Sequence, residues 1–480
     1  MRWALSKNAT LEQRSIDHVP DAERHGSPVS LFFVWFAANT SITAVVTGAL
    51  FVVLGNTAFW SIPAIIIGNI AGGFFTSLHS AQGPKLGLPQ MISSRAQFGV
   101  FGAALPLVLV ILMYLGFAAT GTVLSGQAIN KILHVDATWV GIVIFGLLTF
   151  VVAAFGYRWI HRLGRIATVV GILGWAWITF RIFTEYNGAD LLSNPTFDFV
   201  SFLLAVSLGA GWQLTFGPYV ADYSRYLPEQ TPATRTFNAT LWGSVLGSMW
   251  SMALGALIAS IPKSGFLGNQ VGFVGTLAGG GAIAIVLYFV IVVGKLTVNT
   301  LNAYGGSMTM LTTVTGFSKK AVVKPVMRMT FVFVFLALSV IVALAASADF
   351  LDNFRNFVLL LLMVFTPWSA INLIDFYLVS KERVDIPALY DPDGRYGRFN
   401  VPALATYVIG IVVQIPFLAQ SMYTGPLTDK LGGADISWII GLVVPGVIYY
   451  FWGRATNRAP EHTIYPADAD LAEPGAVGER

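Results

Sequence analysis

The sequence contains no cysteine, and only 11% of its 480 residues are charged. Without cysteine the chain can have no disulfide framework, no thiol nucleophile and no cysteine-ligated zinc site. Soluble domains carry roughly 25% charged residues, so a chain with so few cannot keep its whole surface in water. The P-loop, HExxH and GxSxG signatures of common enzyme classes are also missing. These absences argue against a soluble enzyme.

Hydrophobic residues make up 55% of the chain, and its mean hydropathy is +0.69. A helix needs about 20 apolar residues to cross a bilayer. Runs of this kind recur along the sequence and predict about twelve transmembrane helices, at residues 30–54, 57–78, 98–128, 138–157, 164–184, 199–220, 236–261, 279–303, 329–347, 354–378, 402–420 and 436–453. We therefore expect an all-α polytopic membrane protein embedded in a lipid bilayer.

The domain organisation follows from these runs. Residues 29–454 are predicted to form a single transmembrane transport domain without a soluble domain. The polar ends, residues 1–28 and 455–480, are rich in Pro, Asp, Glu and Arg, and we expect them to be mobile cytoplasmic tails.

The distribution of basic residues predicts the orientation. With the runs as spans, 22 of the 28 Lys and Arg residues fall in the two tails and the loops after even-numbered spans, and five fall on the other side. Cytoplasmic loops carry the excess of Lys and Arg, so both termini are placed in the cytoplasm of a plasma (inner) membrane protein. This bias explains the pI of about 9.1 without a nucleic-acid partner, and no obligatory protein partner is inferred.

The remaining basic residue, Lys295, lies in the middle of the eighth predicted span. An ionisable group at that depth is a candidate functional residue. The alternative is that Lys295 reaches an interface or pairs with backbone carbonyls.

Three spans carry small or polar residues that predict an interrupted helix. These are the first span at residues 37–41, the sixth around residues 209–218 and the eighth at residues 294–302. Irregular backbone at membrane depth is tolerated where it lines a cavity, and broken helices mark the binding site in many transporters. The first and sixth spans are five apart, as in two repeats of five helices. Glycines that merely allow close helix packing remain the alternative.

Aromatic and amide side chains supply candidate substrate contacts. Trp212 beside Gly211 is placed to stack on a planar ring, with Gln213 able to bond the ring edge. Lys295, Asn299 and Asn302 share one face of the eighth span, where amides must look away from lipid. Further candidates are Tyr114 and Phe117 on the third span and Asn39 in the polar patch of the first.

Several segments together resemble the nucleobase:cation symporter-1 family, in its cytosine/purine permease branch. They are WFAANTSI at 35–42, GPKLGLPQMISSRAQFG at 83–99, GPYVADYSRYLP at 217–228 and PWSAINLIDFYLV at 367–379. The resemblance implies a LeuT-type fold of two inverted five-helix repeats plus two C-terminal helices, with alternating access. It also implies that Phe117 and Trp212 sandwich the substrate ring and that Asn299 contacts it. Relatives often have Trp and Gln on the third span, where this chain has Phe117 and Tyr114, and this departure leaves the substrate open.

The resemblance also implies a coupling-ion site. Sodium-coupled relatives use backbone carbonyls of the first span, here around Ala38 and Ser41, with Gly294 and Thr297 on the eighth. Val298 stands where a second hydroxyl is expected, and Lys295 adds a positive charge beside the site. Burial disfavours an ammonium ion, so such a lysine can take up and release a proton. We favour proton coupling, with sodium at these four positions as the alternative.

Asp222 and Arg225 follow the sixth span in the family-like ADYSRY stretch and are candidate cytoplasmic gate residues. An exposed loop pair, worth about 0–1 kcal/mol, is the alternative.

The sequence favours a secondary active transporter that imports a purine, cytosine or a related ring. Allantoin or hydantoin, uracil, and a vitamin such as thiamine remain alternative substrates. A membrane enzyme is disfavoured, because His79 and His161 lack metal-ligand spacing and are interpreted as structural. A membrane sensor that binds but does not translocate stays open.

Overall fold

The computed structural model describes residues 17–155, 157–263, 265–316, 325–420, 423–456 and 458–466. Helices form nearly all the regular structure there, beside one short antiparallel pair of strands, Ala419–Gln420 and Tyr423–Thr424. Every predicted apolar run coincides with a helix or an interrupted helix, at Pro28–Asn39 with Ile42–Val53, Ala58–Leu86, Ala104–Leu133, Thr138–Phe155, Tyr157–Glu185, Phe199–Leu214 with Gly217–Ser224, Ala233–Ser260, Gly281–Gly316, Pro325–Ala346, Phe350–Leu373 with Ile374–Val379, Val401–Val412 and Ser437–Ala455. The all-α polytopic fold class is confirmed.

In the described part of the chain, eight helices are long and apolar enough to cross a membrane. The two halves of the first span pass the same test together. The fourth, fifth and eleventh predicted spans are helical as well. Shorter helices lie between spans, at Gln90–Ser93, Arg95–Phe98, Gly188–Leu191 and Gln270–Leu277.

The first span is broken where the sequence predicts it. Its two halves meet at an angle of 57°, and Ser41 between them is extended, with φ −145° and ψ 157°. The amide of Asn39 donates to the carbonyl of Trp35 at 2.9 Å, and the hydroxyl of Thr40 donates to Phe36 at 2.8 Å. The carbonyl of Phe36 also accepts the N–H of Thr40 at 2.9 Å, so these side chains add second donors to carbonyls of the last turn, and the helix ends where Ser41 becomes extended.

The sixth span is interrupted only mildly. Thr215 and Phe216 separate its halves but keep right-handed helical dihedral angles. Pro218 follows at the start of the second half, and its missing N–H explains why the hydrogen-bond ladder is interrupted there. The residues 199–224 therefore run in nearly one direction across the membrane region.

The eighth span is one continuous helix, Gly281–Gly316, and the prediction of a break in it is wrong. The hydroxyls of Thr297 and Thr300 donate to the carbonyls of Val293 and Leu296 in their own helix, at 3.1 and 2.8 Å. Hydroxyls satisfied in this way let polar residues sit in a membrane helix without unwinding it.

The tenth span contains an irregularity that the sequence analysis missed. After Leu373 the helix widens into a π-helical segment, Ile374–Val379, which lies in the family-like stretch at 367–379. Such segments are rare and are frequent at functional sites.

The spans pack in two groups that position the site. The first, second, sixth and seventh spans pack on one another, and the third, fourth, eighth and ninth form the other group. Gly72 of the second span lies directly against the backbone of Ala210 in the sixth, where any side chain would clash. The first group is therefore held at backbone-to-backbone distance.

The described parts of the two tails are held by specific hydrogen bonds. The N–H of Val19 donates to the carbonyl of Gly87 at 2.9 Å, and the N–H of Ile386 donates to the carbonyl of Ile464 at 3.0 Å. The tyrosine hydroxyl of Tyr465 donates to Glu229 at 2.7 Å. Residues 17–27 and 458–466 thus lie against the loops after the second, sixth and tenth spans, whereas the rest of the expected tails, 1–16 and 467–480, lies outside the described residues.

Candidate functional site

The two aromatic residues predicted to hold a ring are neighbours. The ring centroids of Phe117 and Trp212 are 6.1 Å apart, and the planes make an angle of 87°. Phe117 also meets Phe357 of the tenth span edge-on at 5.3 Å. The pair joins the two helix groups, but a flat ring fits between two parallel faces only after one of these side chains turns.

The indole of Trp212 is held by two hydrogen bonds. Its Nε1–H donates to Oδ1 of Asn39 at 2.8 Å and to Oγ of Ser248 at 3.0 Å. The residue is 3% exposed. Since a buried indole needs a partner for its N–H, these two residues fix the plane of the ring.

A polar cluster surrounds this indole, formed by Asn39, Asn69, Gln213, Ser244 and Ser248. The amide of Gln213 donates to Asn69 at 2.9 Å and to Ser248 at 3.1 Å, and its Oε1 accepts from Ser244 at 2.6 Å. Gln213 and Asn39 were predicted to contact substrate. In this structure their amide N–H groups donate to protein acceptors, and their contact with substrate stays a prediction.

Tyr114 lies one turn before Phe117 on the third span. Its ring packs 5.4 Å from that of Tyr219 in the second half of the sixth span, and against Gly305 of the eighth. Tyr114 therefore lies between the aromatic pair and the second half of the sixth span, which carries Asp222.

Asn299 of the eighth span faces the third span. Its amide donates to the carbonyl of Ala118 at 2.9 Å and to the hydroxyl of Thr122 at 3.1 Å. These bonds fix the orientation of the amide, and its Oδ1 is buried without a hydrogen-bond partner among the described residues. For Asn302, three residues on, the amide Nδ2 likewise has no partner in the described part of the chain.

We expect Asn299→Ala to weaken substrate binding more than Asn302→Ala. Loss of the Asn299 acceptor would leave a buried N–H of the ring unpaired, a penalty of about 1–3 kcal/mol, or roughly 5- to 150-fold. Asn302→Ala removes an amide nitrogen that is already unsatisfied, so it should change affinity little. Apparent affinities from uptake of labelled base by the two variants, at matched expression, test this. Equal and small losses would mean that this face serves packing alone.

Lys295 connects the eighth span to the broken first span. Its ammonium Nζ donates to the hydroxyl of Thr43, two residues after Ser41, and the side chain is 7% exposed. Within the described residues no carboxylate forms an ion pair with it. A buried ammonium ion without a counter-charge is costly, so its protonation state depends on the few oxygen atoms around it.

The four positions expected to bind sodium lie at this junction, and some of their oxygen atoms already take part in hydrogen bonds within the protein. The carbonyl of Ser41 accepts from the N–H of Val45 at 3.1 Å. The hydroxyl of Thr297 donates to its own helix, and Gly294 lies within the continuous eighth helix. Ala38 is in the last turn of the first half of span one. Sodium prefers several oxygen ligands. Because residue 298 is a valine and some of the oxygen atoms at these four positions already take part in hydrogen bonds, few oxygen atoms are left for sodium.

The residues predicted to form a gate lie where the sixth span meets the loop after the second. Oδ1 of Asp222 accepts the backbone N–H of Gln90 at 2.8 Å. The guanidinium of Arg225 lies over the ring of Tyr226, 4.9 Å from its centroid, and is 4% exposed. Asp222 thus makes a tertiary contact, whereas the ring beneath Arg225 belongs to the next residue of the chain.

We expect Asp222→Asn to open the inner pathway. The change removes the charge from the acceptor of Gln90 and weakens the link between the two segments. Because the chain has no cysteine, a single Ala221→Cys substitution gives a labelling site without background. Its reaction with a hydrophilic maleimide should speed up in Asp222→Asn and stay unchanged in Asp190→Asn, an exposed aspartate outside this region. Equal rates in all three backgrounds would identify Asp222 as an ordinary loop residue.

The sequence analysis missed several polar partners. Ser244 and Ser248 lie one turn apart on the seventh span, a spacing that could have shown a polar face. His79, interpreted as structural, is fully buried and bonds Asn372 at 3.0 Å and Ser369 at 2.6 Å through its two ring nitrogens. The side chain of His161 lies outside what the structure describes.

Comparison with known proteins places these features in a family. A family described as permeases for cytosine/purines, uracil, thiamine and allantoin matches residues 18–441. The chain belongs to this permease family. A relative from Bacillus subtilis with the name 'Putative purine-cytosine permease YxlA' is 39% identical over 92% of this chain and 95% of its own length. The purine-cytosine permease fcyB of Emericella nidulans is 25% identical over 93% of this chain and 89% of its own.

The permease also matches solved structures. The inward-facing conformation of Mhp1 covers 96% of this chain and 97% of its own, with a TM-score of 0.76 and 21% sequence identity. A closed conformation of the same transporter with bromovinylhydantoin bound gives a TM-score of 0.73 at 20% identity. This likeness confirms the LeuT-type fold and the multi-pass membrane architecture of the permease.

Proposed function

We propose that this permease is a cation-coupled symporter that imports a purine base or cytosine by alternating access. Family membership over residues 18–441 supports transport of a small heterocycle, and the 39% identity to a purine-cytosine permease supports this substrate class. Uracil, allantoin or hydantoin, and thiamine are the alternatives within the family.

The observation that carries the proposal is that the aromatic pair Phe117–Trp212 and the break in the first span lie at the junction of the two helix groups. Phe117 and Trp212 come from different groups, and so do Lys295 and Thr43. The affinities for a substrate and for an ion bound at this junction would both depend on how the two helix groups are arranged. Alternating access requires such a dependence, because a ligand can shift an equilibrium only by its differential affinity for the two states.

We further propose that the coupling ion is a proton carried by Lys295. In the protonated form its ammonium donates to Thr43 and joins the eighth span to the first. Release of the proton towards the cytoplasm removes the charge and weakens this contact, and the substrate is then free to leave. Coupling is reciprocal, so a proton gradient drives accumulation only if protonation also favours substrate binding. Sodium at Ala38, Ser41, Gly294 and Thr297 is the alternative.

The proposed location is the plasma membrane, with both termini in the cytoplasm. The described tails and the loops after the second, sixth and tenth spans meet at one end of the molecule, through contacts such as Val19 with Gly87 and Ile386 with Ile464. Along the sequence, most Lys and Arg residues fall in the two tails and in the loops after even-numbered spans, which supports a cytoplasmic assignment.

Counterflow into proteoliposomes tests the proposed transport. Vesicles that contain the purified permease and are preloaded with unlabelled adenine or cytosine should take up the labelled base faster than vesicles preloaded with buffer. Binding of the base without counterflow would identify the protein as a sensor. Counterflow with uracil, allantoin or thiamine alone would move the substrate to that alternative.

A further inference from the structure

Asn39 occupies a position between the proposed ion site and the proposed ring site. It is the last residue of the first half of the first span and stands immediately before the break at Thr40 and Ser41. Ala38 precedes it, so two of the positions proposed for an ion flank it in sequence. Its side chain is fully buried.

Every hydrogen-bonding position of the Asn39 carboxamide is occupied, and its partners all lie outside the break at Thr40 and Ser41. Its Oδ1 accepts from Trp212 Nε1 and from the hydroxyl of Ser248, both at 2.8 Å. Its Nδ2 donates to the carbonyl of Trp35 at 2.9 Å and to Ser244 Oγ at 3.0 Å. A side chain held at both ends cannot move independently of its backbone, so a displacement at the break is passed to its partners.

Trp212 is the partner through which such a displacement would reach the substrate. Its indole N–H has two acceptors, Asn39 and Ser248, and its ring meets Phe117 edge-on. A flat ring fits between the two faces once either Phe117 or Trp212 turns, and a turn of the indole changes or breaks its bond to Asn39. The tilt of the ring and the conformation of the break are therefore linked through one carboxamide.

We propose that Asn39 is a positioning residue that transmits the state of the ion site at the first-span break to the indole of Trp212, and so sets substrate affinity by ion occupancy. This inference rests on the proposed function. It adds the route by which the two sites communicate and assigns Ser248 as the second anchor of the indole.

The seventh span offers a matched control. Ser251 lies three residues after Ser248, is fully buried, and its hydroxyl has no hydrogen-bond partner. Ser251→Ala removes the same atom from the same helix without touching the Asn39–Trp212 link.

The test reads Trp212 directly, with no substrate present. The permease is labelled with 5-fluorotryptophan, and the Trp212 signal among its 13 tryptophans is assigned by its loss in Trp212→Phe. In the wild type and in Ser251→Ala, the ¹⁹F shift of Trp212 should change when the pH is lowered or sodium chloride is added, whichever ion couples transport. In Asn39→Ala that response should be lost while the signal itself remains. A full response in Asn39→Ala, or none in the wild type, overturns the proposal.

Transport assays separate this inference from the proposed function. In Asn39→Ala, adenine or cytosine counterflow should persist, while the dependence of KM on the coupling ion, roughly tenfold or more in the wild type, should vanish. Ser248→Ala should raise KM but keep its ion dependence, because Asn39 still holds the indole.

If Asn39→Ala does not fold, Asn39→Asp keeps the acceptor for Trp212 and should retain the ¹⁹F response. Loss of the response in Asn39→Asp contradicts the proposal. A wild type that transports no base refutes the proposed function. The ¹⁹F response to an ion needs no substrate, so it tests the role of Asn39 independently of that result.

Discussion

Trp212→Ala should weaken substrate binding roughly 5- to 150-fold, since stacking of a base on an aromatic ring is worth about 1–3 kcal/mol. The buried indole is a large aromatic surface at the junction, and it borders Phe117 of the opposing helix group. Trp212→Phe should lose less, because it keeps a ring and gives up only the bonds to Asn39 and Ser248. Apparent affinity for labelled adenine or cytosine in counterflow measures both.

The control for this variant is Trp242→Ala, which removes an indole that is 44% exposed on the seventh span. Its affinity should equal that of the wild type. A well-expressed Trp212→Ala protein with unchanged affinity would remove Trp212 from the substrate site.

Lys295→Met should abolish accumulation driven by a proton gradient while it spares exchange. Methionine fills a similar volume but can neither bind a proton nor donate to Thr43. With one proton moved per substrate, each pH unit supports about tenfold accumulation, so a gradient of two units gives about 100-fold in the wild type. In Lys295→Met the ratio of inside to outside substrate should fall to about one.

Two variants delimit the role of this lysine. Thr43→Ser retains the hydroxyl that Lys295 bonds and should keep proton-driven accumulation. Lys131→Met removes a lysine that is exposed at the end of the third span, and it should behave as the wild type. Continued accumulation by Lys295→Met would show that another group carries the proton.

The sequence predicts the fold well because apolar length is a strong signal. Each apolar run coincides with a helix, and the break in the first span lies within the predicted patch at residues 37–41. There the side chains of Asn39 and Thr40 bond carbonyls four residues earlier, and the backbone leaves the helical conformation at Ser41. The eighth span carries a similar polar patch whose threonine hydroxyls make the same kind of bond, yet its helix continues. Composition alone does not distinguish these two outcomes.

The candidate site can be predicted only in part from the sequence, because several of its side chains bond partners from distant spans. Trp212, Phe117 and Lys295 are recognisable as an unusual aromatic pair and a deep charge, and the structure places all three at the junction of the helix groups. The roles of Gln213 and Asn39 depend on partners from distant spans, Asn69, Ser244 and Ser248. Which amide faces a ligand and which faces its own protein is decided by packing between helices, and the sequence alone does not show that packing.

The docking of the tails likewise depends on contacts far apart in sequence. His18 and Tyr465, near opposite ends of the chain, have ring centroids 5.7 Å apart. Tyr465 also bonds Glu229, which lies in the loop after the sixth span. Polar composition predicts mobile tails, but it cannot show that residues such as His18 and Tyr465 have fixed partners.

Uptake by the wild type in sodium-free proteoliposomes tests the central claim most directly. The vesicles carry an inward proton gradient and labelled adenine or cytosine outside. Because Lys295 lies at the break where Val298 leaves sodium short of oxygen ligands, we predict accumulation that grows with the gradient and collapses on addition of a protonophore. A wild type that stays inactive under these conditions and accumulates the base on addition of sodium alone would contradict the account.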